Sequence, residues 1–154
     1  QGVSSAASDV YKRQMLQLKN LSLDDYSKGY LELLSQLTIV GEMSKERFEE
    51  IFLKNKNEIY VVEDLEKNKI IGTASLFIEQ KFIHGGGKVG HLEDVVVDVG
   101  YRGKNIGGML VSRVVEKAKE EGCYKLIGDC KDELVGFYGK LGMERRGCQI
   151  GIYF

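Results

Sequence analysis

The spacing of apolar residues changes period several times along the chain, and each change predicts an element. Leu16 and Leu18 flank Gln17 in the alternation of a short strand. Tyr26, Tyr30, Leu33, Leu34 and Leu37 then recur at steps of three and four, the apolar stripe of a helix. Ser22 and Asp25 stand ahead of it as a capping box with Asp in place of Glu. Gly41 ends or follows this helix. Ser44 caps a second one, with Phe48, Ile51 and Phe52 on one face. The period then falls to two. Residues 59–62 read as a strand, 66–69 as a polar turn and 70–78 as the returning strand of a hairpin. Residues 81–84 continue in extended form into Gly85-Gly86-Gly87.

A third long strand is predicted over residues 89–98. Its Val95-Val96-Val97 run has no polar side, so both faces are expected to be covered, as in the middle of a sheet. A glycine-containing loop, residues 100–108, leads into a helix with Ile106, Met109, Leu110, Val114 and Ala118 inward and Arg113, Lys117 and Lys119 outward. Gly122 suits its C-terminal cap. A strand over 124–129, a short helix over 134–141 stopped by Gly142, and a last strand over 149–154 complete the order. Strands and helices mixed in this way predict a single α/β domain. Residues 1–14 are Ser/Ala-rich without periodicity and precede Met15. They are expected to be a disordered or artefactual tail ahead of a domain over 15–154.

Composition narrows the function classes. The 154 residues suffice for one core without disulfide or metal support. A net charge of -1, from 22 Lys+Arg and 23 Asp+Glu, calls for neither nucleic acid nor an anionic membrane. Three cysteines (Cys123, Cys130 and Cys148) and two histidines offer no metal-ligand spacing, so no metal is expected. The thiols are expected to be reduced and mostly buried. The longest apolar runs are a few residues, too short to span a bilayer. A cytoplasmic protein is the default expectation.

The chemistry concentrates where the valine run meets the loop. A strand followed by Tyr101-Arg102-Gly103-Lys104-Asn105-Ile106-Gly107-Gly108 ends at a helix N-terminus. Unpaired N–H groups and the positive dipole end attract phosphate there. Glycine lets an anion approach the backbone, and Arg102 and Lys104 add charge. The Gly-Lys-Ser/Thr ending of a P-loop and the G-x-G-x-x-G dinucleotide pattern are both absent. Taken by itself, the loop favours phosphate binding only modestly over a plain strand-to-helix turn whose glycines serve packing.

Arg102-Gly103-Lys104-Asn105-Ile106-Gly107 resembles the acetyl-CoA pyrophosphate loop of the GNAT acetyltransferase superfamily, Arg/Gln-x-x-Gly-x-Gly/Ala, with Asn105 in place of a glycine. A closer resemblance runs through the chain from Met15 onward. Leu34-Ser35-Gln36-Leu37-Thr38, residues 79–84, residues 90–97, Tyr101-Arg102-Gly103-Lys104, Cys123-Tyr124-Lys125 and Val135-Gly136-Phe137-Tyr138 resemble glucosamine 6-phosphate N-acetyltransferases, in order and with similar spacing. The resemblance implies a GNAT fold: a mixed, mostly antiparallel sheet flanked by helices and splayed at the acetyl-CoA site. It implies acetyl transfer from acetyl-CoA, as co-substrate, to the 2-amino group of glucosamine 6-phosphate, on the route toward UDP-N-acetylglucosamine. The amine attacks the thioester directly, so no protein nucleophile is expected.

Residue by residue, the resemblance implies the following. Arg102, Gly103, Lys104, Asn105, Ile106, Gly107 and Gly108 hold the coenzyme pyrophosphate. The backbone of Val95, Val96 and Val97 pairs with the pantetheine arm, and the N–H near Val95 meets the oxyanion. Tyr138 contacts the sulfur and protonates the leaving thiolate. Glu93 and Asp94 hold the sugar and serve the amine proton, and Asp129 assists. Being adjacent in a strand, Glu93 and Asp94 point to opposite faces unless a bulge re-aims one. Thr38, Lys81, Phe82, Ile83, His84, Tyr124 and Lys125 complete the sugar-phosphate site. Tyr124 and Lys125 act across a homodimer with shared sites.

Two departures accompany the match. Leu134 stands where the family often has Asn, and the chain ends Ile150-Gly151-Ile152-Tyr153-Phe154 where the family tends to place an arginine for the phosphate. Arg145 and Arg146 are the nearby cations. The rival readings are a GNAT enzyme for another amine (a protein N-terminus or a different amino sugar) and a catalytically silent acyl-CoA-binding module.

Overall fold

In the computed structural model, which describes Ala6 and residues 15–154, five strands pair in the order in which they occur along the chain. They are β1 (Leu16–Asn20), β2 (Glu58–Asp64), β3 (Lys69–Gln80), β4 (Lys88–Val97) and β5 (Cys123–Gly128). β1 to β4 are antiparallel neighbours, whereas β4 and β5 run parallel. Four helices flank this open sheet: α1 (Tyr30–Leu34), α2 (Lys45–Lys54), α3 (Ile106–Glu120) and α4 (Val135–Gly139). The parallel step follows from connectivity, since α3 carries the chain from the end of β4 back to the start of β5. The tail expected over residues 1–14 lies, Ala6 apart, outside the described residues.

Each face of the sheet has its own core. Ile106, Leu110, Val111, Val114 and Ala118 of α3 pack on Val62, Ile71, Ala74, Leu76 and Leu92. On the other face Tyr30, Leu33 and Phe48 cover Val61, Ile70 and Val96. The valine run divides as its composition predicts, with Val96 in the second core and Val95 and Val97 against the first. Two glycines open α3 at a propensity cost of about 1 kcal/mol each. Burial of Ile106, Leu110, Val111 and Val114, each worth roughly 1.5–3 kcal/mol, outweighs that cost.

Several expectations are corrected. The stripe from Tyr26 to Leu37 is not one helix: Gly29, at φ 80°, separates a 3-10 turn (Leu23–Lys28) from α1. The capping box itself forms, and it buries Asp25 between Lys19 and Lys28. Leu37, which lies past the end of α1, is exposed, as are Ile51 of α2 and Met109 of α3. Residues 81–84 are not extended. Pairing of Gln80 with Lys88 forces the intervening residues to reverse, and Lys81 N donates to Gly87 O at 2.9 Å. Residues 149–154 form no strand, and Ile150, Ile152, Tyr153 and Phe154 are exposed. Alternation fixes two faces but supplies no partner edge. The cysteines are free, but Cys130 and Cys148 are exposed and only Cys123 is part-buried.

Candidate active site

The pairing of β4 with β5 ends at Leu92 and Gly128, the last residue of β5, so residues 93–97 of β4 run on without a strand neighbour on that side. The sheet is therefore open on that side of β4, where the resemblance places the thioester. At the same point β4 bulges on its other side. Thr73 pairs with Val96 and Ser75 with Glu93, so Ala74 alone opposes both Asp94 and Val95. Asp94 adopts φ 51° to make this bulge. Both carboxylates end up exposed beside the opening.

Their electrostatics differ from isolated carboxyls. Partial burial, first, and then the charges of Asp94 and Asp129 push the Glu93 carboxyl above its ordinary value, with His91 opposing. Glu93 and Asp129, 36 positions apart, thus border one opening, and Asp129 also accepts from Gln149 Nε2 at 2.9 Å. Beneath the bulge, burial and then the charges of Asp94 and Asp25 push the Tyr30 phenol up to about 12, against an opposing contact with Thr73. Tyr30 remains a neutral core residue at neutral pH.

α3 and α4 form the walls of the opening. Within α3, the N–H groups of Ile106, Gly107 and Gly108 lack acceptors one turn earlier, and the first capped amide is Met109, donating to Asn105 O at 3.0 Å. Arg102 and Lys104 lie exposed on the loop; Lys104 Nζ sits 5.0 Å from the Tyr101 ring centre and Arg102 Nε comes within 3.5 Å of Val97 O. The three loop glycines have different reasons. Gly103, at φ 81°, faces open space. A Cβ on Gly107 would stand 3.1 Å from Phe137 Cζ, and one on Gly108 would stand 2.2 Å from Asn105 Oδ1. Gly107 thus lets α4 close against α3, which seats Tyr138 at the rim of the first core, its ring 4.9 Å from that of Phe137. Burial, then the nearby Cys130, pushes the Tyr138 phenol upward, so it keeps its proton at neutral pH.

Not all predicted site residues meet here. Thr38 lies at this end, because Gln36, two residues earlier, bonds to Asp98 and Val99. Lys81, Phe82, Ile83, His84, Tyr124 and Lys125 gather at the other end of β4. There His84 and Tyr124 rings are 4.2 Å apart and Lys125 Nζ lies 5.7 Å from the Tyr124 ring. Lys125 pairs with Val89, four positions before Glu93, or about 13 Å along the strand. Lys81 is ion-paired with Glu79, which also holds His91 at 2.9 Å. Arg145 and Arg146 are paired with Asp132 and Glu144 and join neither group. Sequence reasoning missed Gln36 and Asp98, whose only signal was membership in matched or adjoining motifs. An open cavity of about 380 Å³ between Tyr26, Glu32, Ser35, Val40, Gly41 and Met43 contains none of the predicted residues. Among the described residues, no cluster of His, Cys, Asp and Glu is arranged to hold a metal ion, and no helix is long and apolar enough to cross a membrane.

The pattern of the acetyltransferase (GNAT) family matches residues 15–143. The chain belongs to the GNAT acetyltransferase family. Among the most similar GNAT relatives, the "probable glucosamine 6-phosphate N-acetyltransferase 2" of Oryza sativa subsp. japonica is 42% identical, aligned over 98% of this chain and 95% of its own. The glucosamine 6-phosphate N-acetyltransferase 1 of Dictyostelium discoideum is 43% identical over 90% of both chains. The crystal structure of glucosamine-6-phosphate N-acetyltransferase from Arabidopsis thaliana superposes with a TM-score of 0.86 at 42% identity, covering 90% of this chain and 98% of that one. The GNAT fold and its open, mixed sheet are therefore those expected from the resemblance.

Proposed function

We infer that this GNAT chain transfers the acetyl group of acetyl-CoA to the 2-amino group of glucosamine 6-phosphate, giving N-acetylglucosamine 6-phosphate and CoA. What carries this reading is the opening beside β4 beyond the end of β5, bordered by Glu93 and Tyr138, in a chain 42% and 43% identical to proteins of that name over 90% or more of either length. The residues present fit the co-substrate. Free N–H groups of Ile106 to Gly108, with Arg102 and Lys104, hold the pyrophosphate, and the unpaired edge of Val95 to Val97 receives the pantetheine arm as an added strand. In the transfer, the amine nitrogen bonds to the thioester carbonyl carbon and the carbon–sulfur bond breaks. Glu93, made more basic by its surroundings, takes the proton lost by nitrogen, while the Tyr138 phenol gives one to the departing sulfur. Asp94 and Asp129 orient the acceptor, and Thr38 approaches it from the α1 side.

The phosphate is held by a second copy of the chain. Lys81, His84, Tyr124 and Lys125 stand too far along β4 to serve the opening in their own protomer. Around them Phe77, Phe82, Ile83 and Ile127 expose apolar surface, and β5 is an edge strand. A homodimer that buries this face brings the cationic group of one protomer to the opening of the other. Free thiols and phosphorylated small-molecule substrates suit a reducing compartment, and the cytoplasm is the location we assign.

Purified protein, acetyl-CoA and a thiol-reactive dye test the reaction against a panel of amines. Thiol release is expected with glucosamine 6-phosphate and much less with glucosamine, other amino sugars or peptides. Release with peptides alone would overturn the acceptor, and coenzyme binding without turnover on any amine would overturn the enzyme reading.

A further inference from the structure

Of the motif Leu34-Ser35-Gln36-Leu37-Thr38, the reaction so far uses only Thr38, yet Gln36 makes the longest-range contact at this end of the molecule. Tyr30, Leu33 and Gln36 lie three residues apart, on one face of α1 and its last turn. Tyr30 and Leu33 are buried in the core that contains Val96, which delivers Gln36 over the end of β4. There its Oε1 accepts from Val99 N at 2.9 Å and its Nε2 donates to Asp98 Oδ2 at 3.2 Å, across more than sixty residues of sequence. Asp98 is nearly buried and also accepts from Lys69 Nζ at 2.7 Å and Gly100 N at 2.9 Å. Asp98 and Val99 begin the 3-10 turn, Val99–Tyr101, that aims residues 102–108. On the other side, Leu37 N and Thr38 N both donate to Leu34 O, at 2.9 and 3.2 Å, which fixes Thr38 relative to Gln36.

We propose that Gln36 is a positioning residue whose side-chain amide fastens the acceptor-side turn to the coenzyme loop, so that coenzyme and amino sugar each tighten the binding of the other. Gln36 touches neither substrate. It takes the Val99 N–H and adds a third hydrogen bond to Asp98, so both segments keep one relative placement, and whatever seats against either segment stiffens the other. Coupling of this kind is reciprocal. The acceptor half of the proposal rests on the functional reading above; the coenzyme half rests on the fold and loop alone.

The test uses CoA, which binds without reacting, titrated by calorimetry with and without saturating glucosamine 6-phosphate. Gln36→Met keeps length and loses both hydrogen bonds, while Lys69→Met removes a different partner of Asp98 and leaves Gln36 in place. In the unaltered protein the sugar phosphate is expected to lower the Kd for CoA several-fold. Gln36→Met should weaken CoA alone by about three- to tenfold, as for one or two lost hydrogen bonds, and bring the ratio of the two Kd values close to one. Lys69→Met should keep the ratio. A ratio preserved in Gln36→Met, or lost equally in both variants, overturns the proposal, as does a sugar phosphate that binds the unaltered protein without changing the CoA affinity. If the unaltered protein does not bind glucosamine 6-phosphate at all, the functional reading fails instead. CoA alone then decides the clamp: equal affinity in Gln36→Met overturns it, and the three- to tenfold loss sustains it.

Discussion

Glu93 and Tyr138 are both raised mainly by burial, and the proton acceptor and proton donor proposed above rest on that same physical cause. A carboxylate destabilised by its surroundings is a better proton acceptor; a phenol destabilised as phenolate remains a proton donor. Tyr138→Phe should therefore lower kcat by about 10²-fold with little change in either KM, since the proton is given only as the thiolate leaves. The acid limb of the kcat profile should fall at a pH above the ordinary Glu value of about 4.3 and disappear in Glu93→Gln. An unchanged kcat in Tyr138→Phe would reduce Tyr138 to a packing partner of Phe137. In the sequence the two carboxylates stood out as a pair, but their roles could not be separated. That separation comes from Asp129, brought to Glu93 by β5, and from the bulge that Asp94 makes with a positive φ.

At the scale of elements, the coenzyme loop depends on α3 and α4 meeting closely. Gly107 is the contact point. An alanine there gains roughly 1 kcal/mol of helix propensity but sets its methyl 3.1 Å from the Phe137 ring. Overpacked contacts cost typically 1–3 kcal/mol, so α4 and Tyr138 are displaced from the opening. Gly107→Ala should weaken acetyl-CoA binding by about tenfold while circular dichroism and the melting temperature change little. Affinity equal to that of the unaltered protein would mean that Phe137 turns aside freely. The strand, loop and helix proposed to hold the coenzyme were legible in the sequence because residues 93–108 are contiguous and form local structures. The reason for Gly107 was not, because Phe137 lies thirty residues away. Gly107 and Gly108 looked like room for an anion, and each is first of all room for a neighbouring side chain.

For the whole molecule, the separation of Lys125 and its neighbours from the opening gives the dimer proposed above a direct test. Tyr138→Phe and Lys125→Ala homodimers should each be impaired, the second mainly in KM for the sugar phosphate. Subunits of the two, mixed and exchanged, should regain about a quarter of full activity, because half the dimers are mixed and one of their two sites is intact. No gain over the average of the parents would place Lys125 outside the partner's site. Periodicity in the chain settled the five strands of the sheet, the helix after the valine run and the two-sided burial of that run, because the face a residue occupies is fixed by local backbone geometry. It also showed where a strand hands over to a helix N-terminus, since free helix-end amides are a local property. Tertiary structure alone decided the bulge at Asp94, the bond from Gln36 to Asp98, the fit of Phe137 on Gly107, and the failure of residues 149–154 to pair within the chain. Each of these depends on which surfaces meet, and a one-dimensional pattern of polarity does not record the partner.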